Sequence, residues 1–265
     1  MNAHPAPPAL AAWSRGREWH RFIDGSPAVW RFADNRREAP PLVLLPGALG
    51  DASSAWHIAE AFDAQRRVLA VTYPGGCDAM ALADGLAALL QSLDIGPAAV
   101  WGSSYGAWWA QAFARRHPSR VAALWLGNTF VDGADVAASP LFDAAWLATA
   151  ASDEVVARWS AALSGRPDDP LRAAQLHLLH HTLPAAQLHG RLRQVAQAPA
   201  LPPASAPGLV VSDCADDPTL GPAVRERVRA RYRDARTLQL PTGGHYPHIV
   251  DSRPLVDAMR AWLAD

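Results

Sequence analysis

Ala98-Ala-Val-Trp-Gly-Ser-Ser-Tyr-Gly-Ala-Trp-Trp-Ala-Gln-Ala-Phe-Ala-Arg-Arg-His117 reads in three parts. A short apolar run opens it, Gly102-Ser-Ser-Tyr-Gly106 interrupts it, and an Ala-rich segment with helical spacing closes it. The pattern predicts a strand, a sharp turn and a helix. The turn spells G-x-S-x-G around Ser104. Where a chain reverses this abruptly, side chains at 102 and 106 would collide with the neighbouring strand and helix, so glycine serves at both. Such an elbow turns the Ser104 hydroxyl out of the sheet. It also leaves the Tyr105 N–H at a helix N-terminus, where a developing oxyanion is stabilised. Glycine and serine crowd ordinary turns as well, so the motif acquires meaning only from its surroundings.

Those surroundings alternate. Upstream, residues 18–23 and 27–32 read as a hairpin around Asp24-Gly25-Ser26, after a loose Pro/Ala-rich arm at 1–12. Pro41-Leu-Val-Leu-Leu45 has the unbroken apolar character of a buried parallel strand. It runs into Pro46-Gly-Ala-Leu-Gly50 and then Asp51-Ala-Ser-Ser, which looks like the cap of a helix over 52–64. A strand at 67–73 and a helix at 79–93, with Leu82, Leu86, Leu89, Leu90 and Leu93 on one face, precede the elbow. A strand at 121–126 follows it. Strand–helix alternation of this kind means βαβ units and a mostly parallel sheet.

From Val131 to Ala206 no strand is evident. Helical patterns cover 141–151, 153–163, 171–182 and 185–198, and a Pro-rich linker ends the segment at 198–207. The rhythm then returns with strands at 208–211 and 236–240 and helices near 222–233 and 252–264. The expected organisation is therefore a core from 1–130, a helical lid at 131–206 inserted after the sixth strand, and the rest of the core at 207–265.

A serine hydroxyl needs a base, and the base needs an orienting acid. On a sheet of this type the partners follow in the order Ser, acid, His, each at a strand end. Ser212-Asp-Cys-Ala-Asp-Asp-Pro218 supplies three acids after one expected strand, and Thr242-Gly-Gly-His-Tyr-Pro-His248 follows the last. The reading selects Asp216 as the acid and His245 as the base. Asp213, Asp217 and Asp132 are rivals for the acid, and His248 for the base. Otherwise these carboxylates are solvated, or form an Asx turn before Pro218. A second oxyanion N–H beside that of Tyr105 is expected from Ala48.

The layout resembles the α/β-hydrolase fold superfamily over nearly the whole chain. Several segments are similar, more narrowly, to maspardin-like members of it: Trp13-Ser-Arg-Gly16, Leu45-Pro-Gly-Ala-Leu-Gly-Asp51, Val71-Thr-Tyr-Pro74, Leu126-Gly-Asn-Thr-Phe-Val-Asp132 and Thr242-Gly-Gly-His-Tyr-Pro247. The resemblance implies a nucleophile at Ser104, an acid at Asp216 and a base at His245, and it allows for a protein partner. The chain departs from the superfamily by having Pro46-Gly47 where His-Gly is usual. It departs from maspardin-like proteins by keeping a histidine at 245.

Composition excludes other chemistries. The chain has 265 residues, 24 basic and 25 acidic, for a net charge of -1, and carries no basic footprint for nucleic acid. Every basic residue other than histidine is arginine, which excludes a Walker A lysine, a pyridoxal Schiff base and a lysine nucleophile. Cys77 and Cys214 are too few for a disulfide framework. Residues 1–10 do not read as a signal peptide, and no apolar run is long enough to span a bilayer. A cytoplasmic location is expected. His177, His180 and His181 share a helical face but lack the carboxylate of a zinc helix, so they are assigned to structure and no metal or cofactor is expected. Trp108, Trp109, Trp125, Trp146 and Trp159 default to packing, with some expected to face a cleft. The expected activity is hydrolysis of a carboxylic ester or thioester of a small or medium apolar acid through an acyl-enzyme. Acyl transfer, carbon–carbon bond hydrolysis and a non-catalytic binding role are the alternatives.

Overall fold

The computed structural model describes residues 4–23 and 28–264. The expected turn at Asp24-Gly25-Ser26 lies outside them. In chain order the elements are α1 (Pro8–Arg15), β1 (Trp19–Ile23), β2 (Val29–Asp34), β3 (Pro41–Leu45), α2 (Trp56–Phe62), β4 (Arg67–Thr72), α3 (Ala79–Ser92), β5 (Ala98–Ser103), α4 (Tyr105–Arg116) and β6 (Val121–Gly127). There follow α5 (Ala144–Thr149), α6 (Ser152–Ser164), α7 (Pro170–His177), α8 (Ala185–Ala196), β7 (Val210–Cys214), α9 (Pro222–Arg231), β8 (Arg236–Leu240), α10 (Pro247–Val250) and α11 (Ser252–Ala264).

The eight strands form one sheet in the order β1-β2-β4-β3-β5-β6-β7-β8. β2 pairs antiparallel with β1 and β4, and all later neighbours are parallel. Side chains alternate across the pleat, so each strand feeds two cores. Val43, Leu45, Val100 and Leu124 pack with α3 and α4 on one face. Leu42, Leu44, Ala99 and Trp101 pack with α1, α2 and α11 on the other. Both faces are covered, as the unbroken apolar strands require.

The arm expected to be loose is instead helical from residue 8. Pro at the start of α1 lacks an N–H that the helix does not need there, and buried Leu10 and Trp13 dock it on the sheet's helical layer. Between β6 and β7 the chain builds α5 to α8, whose Leu147, Val155, Trp159, Leu163, Leu188 and Leu192 form an apolar cluster of their own. Leu49, from the loop after β3, joins that cluster. No helix among the described residues is long and apolar enough to cross a membrane.

Candidate active site

Ser104 stands between β5 and α4 with φ 52° and ψ −118°. A residue with a side chain adopts this backbone only where its surroundings impose it. Here the Ser104 N–H donates to the Gly127 carbonyl at 2.8 Å, and its own carbonyl accepts the Trp108 N–H at 2.9 Å. The Thr129 hydroxyl also donates to that carbonyl, at 3.2 Å. The flanking glycines have no room for a side chain. A Cβ at 102 would lie 2.7 Å from the Ala107 backbone, and one at 106 would lie 2.3 Å from the Leu45 carbonyl oxygen. The elbow read from the sequence is present.

His245 follows β8 on a loop turned by Gly243 and Gly244, with φ of 123° and 57°. Its Nε2 lies 2.9 Å from Ser104 Oγ and its Nδ1 lies 2.8 Å from Asp217 Oδ2. Both His245 and Asp217 are buried. Asp217, one of the rivals, meets His245, and Asp216, the residue selected from the sequence, does not. The reason is strand length. β7 runs through Cys214, beyond the expected end at residue 211, and the loop positions shift with it. Asp216 instead accepts the N–H groups of Gly244 at 2.8 Å and Gly243 at 3.3 Å, and so fixes the loop that carries His245.

Asp217 does two things at once. Its Oδ1 accepts the N–H of Thr219 at 2.8 Å and of Leu220 at 3.0 Å, the Asx-type turn that the following proline suggested. Its Oδ2 faces His245. Burial raises the Asp217 pKa, but the His245 ring, its hydrogen bond, the Asn128 amide and the Leu220 N–H outweigh burial and bring it down to about 2. An ionised carboxylate only accepts, so Nδ1 of His245 carries the proton and Nε2 accepts from the Ser104 hydroxyl. An imidazole held this way can take the serine proton as the hydroxyl attacks a carbonyl.

Asn128 is a site residue that the sequence reading assigned no role. Its Nδ2 donates to Asp217 Oδ2 at 3.0 Å and to the Gly244 carbonyl at 3.1 Å, tying acid to base loop. The available signal was an asparagine directly after a buried strand. Its φ of 44° is one that asparagine tolerates better than most residues.

The other rivals are engaged elsewhere. Asp213 lies on β7, paired with Arg229 and 3.6 Å from Arg225. Asp132 pairs with Arg227 at 2.6 Å. His248 is buried edge-on against Trp101, ring centroids 5.2 Å apart. Ala48 lines one cavity with Ser104 and His245, and Tyr105 is the first residue of α4. That cavity holds about 410 Å³, with Phe130, Val136, Leu141, Phe142 and Trp159 among its walls. Trp159 is the one tryptophan of the five set aside that lines it. Trp108, Trp109 and Trp125 pack in the core, and Trp146 stacks under Arg158.

The family model described as "Alpha/beta hydrolase family" matches residues 42–258. Maspardin from Homo sapiens is 28% identical over 253 residues, covering 91% of this chain and 82% of that protein. Among solved structures, a thermophilic esterase from Thermogutta terrifontis superimposes with a TM-score of 0.77 at 21% identity, covering 93% of this chain and 98% of its own. A hydrolase from Pseudomonas aeruginosa PA01 has a TM-score of 0.77 at 21% identity, covering 94% and 99%.

Proposed function

The chain belongs to the alpha/beta hydrolase family, and from that premise we propose that it cleaves a carboxylic ester or thioester through an acyl-enzyme on Ser104. The observation that carries this reading is His245 bridging the Ser104 hydroxyl and the Asp217 carboxylate, at 2.9 and 2.8 Å. His245 takes the Ser104 proton as Oγ attacks the substrate carbonyl, and Asp217 stabilises the imidazolium that results. The Tyr105 and Ala48 N–H groups hold the oxyanion. His245 then passes the proton to the leaving alcohol or thiol. A water molecule, deprotonated by the same imidazole, releases the acid and restores the serine. The apolar cavity walls suit an aliphatic acyl chain next to the reacting carbonyl.

Labelling with a fluorophosphonate probe tests the reading. The native chain is expected to label, and Ser104→Ala and His245→Ala to stay unlabelled while keeping nearly native thermal stability. Labelled Ser104→Ala, or its retained turnover of an ester, would sink the assignment. A folded native protein that does not label and turns over no ester favours a binding role of the kind the maspardin likeness allows. An added alcohol or thiol that outcompetes water for the acyl group would instead mark a transferase.

A further inference from the structure

One wall of the shared cavity carries charge. Arg166, in the turn Gly165-Arg-Pro167 after α6, lines it, and among the described lining residues it is the one arginine. Its Nη1 donates to Gln175 Oε1 at 3.3 Å, and Gln175, on α7, is only 2% exposed. The Arg166 carbonyl accepts from Arg172 at 3.2 Å, so the turn is held at both its backbone and its side chain. No described carboxylate forms an ion pair with Arg166. The one carboxylate lining the cavity, Asp135, is already engaged by Arg227 at 2.6 Å and by the Val131 N–H at 2.7 Å. Beside its apolar walls the cavity thus presents a guanidinium held by Gln175 and paired with no described carboxylate.

A guanidinium keeps its charge throughout the accessible pH range, and its donor fork matches a carboxylate in two parallel hydrogen bonds. One uncompensated charge matches one negative charge better than the two of a phosphate monoester. We propose that the substrate's acyl chain ends in a carboxylate held by Arg166, with the reacting carbonyl at Ser104, so that the preferred substrates are half-esters or half-thioesters of dicarboxylic acids. This rests on the hydrolase reading of Ser104 and His245 for its chemistry, but not for its binding. Arg166 is exposed, so the pairing is partly screened and salt weakens it.

The test compares nitrophenyl half-esters of succinate, glutarate and adipate with neutral isosteres carrying an isopropyl group in place of the carboxylate. At one chain length the native protein is expected to favour the anionic ester by about tenfold in kcat/KM, a preference that shrinks with added salt. In Arg166→Gln that ratio falls to about one, Arg166→Lys keeps part of it, and Arg253→Gln, on the last helix, keeps all of it. No preference at any length, or a preference that survives in Arg166→Gln, overturns the proposal. A second arm uses Ser104→Ala and the matching half-nitroanilides in calorimetry, where nothing is turned over. Tighter binding of the anionic anilide, lost when Arg166→Gln is added, supports the site even if no ester is hydrolysed, an outcome that would count against the hydrolase reading alone. Equal binding of the two anilides overturns the site.

Discussion

Asp216 and Asp217 are adjacent and chemically identical, yet the structure gives them separate tasks. Asp217 accepts from His245 on one oxygen and from the Thr219 and Leu220 N–H groups on the other. Asp216 holds the Gly243-Gly244 turn. Replacing Asp217 with Asn leaves the shape but removes the charge that fixes the His245 tautomer, so kcat/KM on a nitrophenyl ester should fall about ten-thousandfold. Asp216→Asn keeps an oxygen able to accept the Gly244 N–H and should cost no more than about tenfold. The opposite ranking would return the acid to Asp216. The choice was not legible in the sequence because it turns on where β7 ends, at Cys214 and not at the expected residue 211. β7 extends through Ser212 and Asp213, polar side chains that are buried. Ser212 is satisfied by Trp125 Nε1 at 2.8 Å, and Asp213 by Gln239 at 2.9 Å and by Arg229. A strand of apolar residues announces its own end; one continued by partnered polar residues does not.

At the scale of elements, periodicity made α3, α6, α7 and α8 legible, because each carries an apolar stripe. α1 was not legible, since its order comes from docking Leu10 and Trp13 rather than from its own sequence. Nor was the attachment of α8. That helix falls inside the segment expected to be a lid, but Arg191, fully buried, reaches from it into the core. One Nη donates to the carbonyls of Gly50 at 2.6 Å and Ala48 at 3.3 Å, and the other to the carbonyl of Tyr73. The guanidinium also sits over the Tyr73 ring, 3.9 Å from its centroid. Gln187 adds a bond to the Tyr73 carbonyl at 2.6 Å. α8 is therefore fastened to the loop expected to supply the Ala48 oxyanion donor. Arg191→Met leaves three carbonyls, those of Gly50 and Tyr73 buried, without their cation. We expect urea unfolding to show a loss of about 3 kcal/mol. In the fraction that stays folded, kcat should fall about tenfold with KM little changed, because a misplaced donor is felt most in the transition state. A raised KM at unchanged kcat would mean that Arg191 supports substrate binding and not the oxyanion loop.

Across the whole molecule, four neighbouring strands deliver the site: Ser104 follows β5, Asn128 follows β6, Asp217 follows β7 and His245 follows β8. The parallel sheet brings their carboxyl ends to one edge. That is why motif order along the chain was informative, and why Asn128, quoted only inside the maspardin-like segment 126–132, was given no role. The same architecture buries two groups whose protonation opposes folding in acid. Burial, and to a lesser extent the nearby His245 and His57, pushes the His248 pKa down from 6.5 to about 3. Asp217 sits at about 2, below its ordinary value of 3.8. In both cases the unfolded chain binds its proton first, so stability is full above the unfolded pKa and declines as pH falls toward the folded one. His248 sets the window from pH 6.5 down to about 3, and Asp217 the lower window from 3.8 down to about 2. One proton per molecule corresponds to a slope of about 1.4 kcal/mol per pH unit, so His248 withdraws at most about 5 kcal/mol across its window. Urea unfolding measured from pH 7 to pH 4 should show that slope in the native chain. It should be flatter by about one proton in His248→Phe, which keeps an aromatic ring against Trp101 without the titratable nitrogen. Equal slopes in the two proteins would mean that His248 gains its proton without unfolding the chain, and the acid sensitivity would then have to come from other groups.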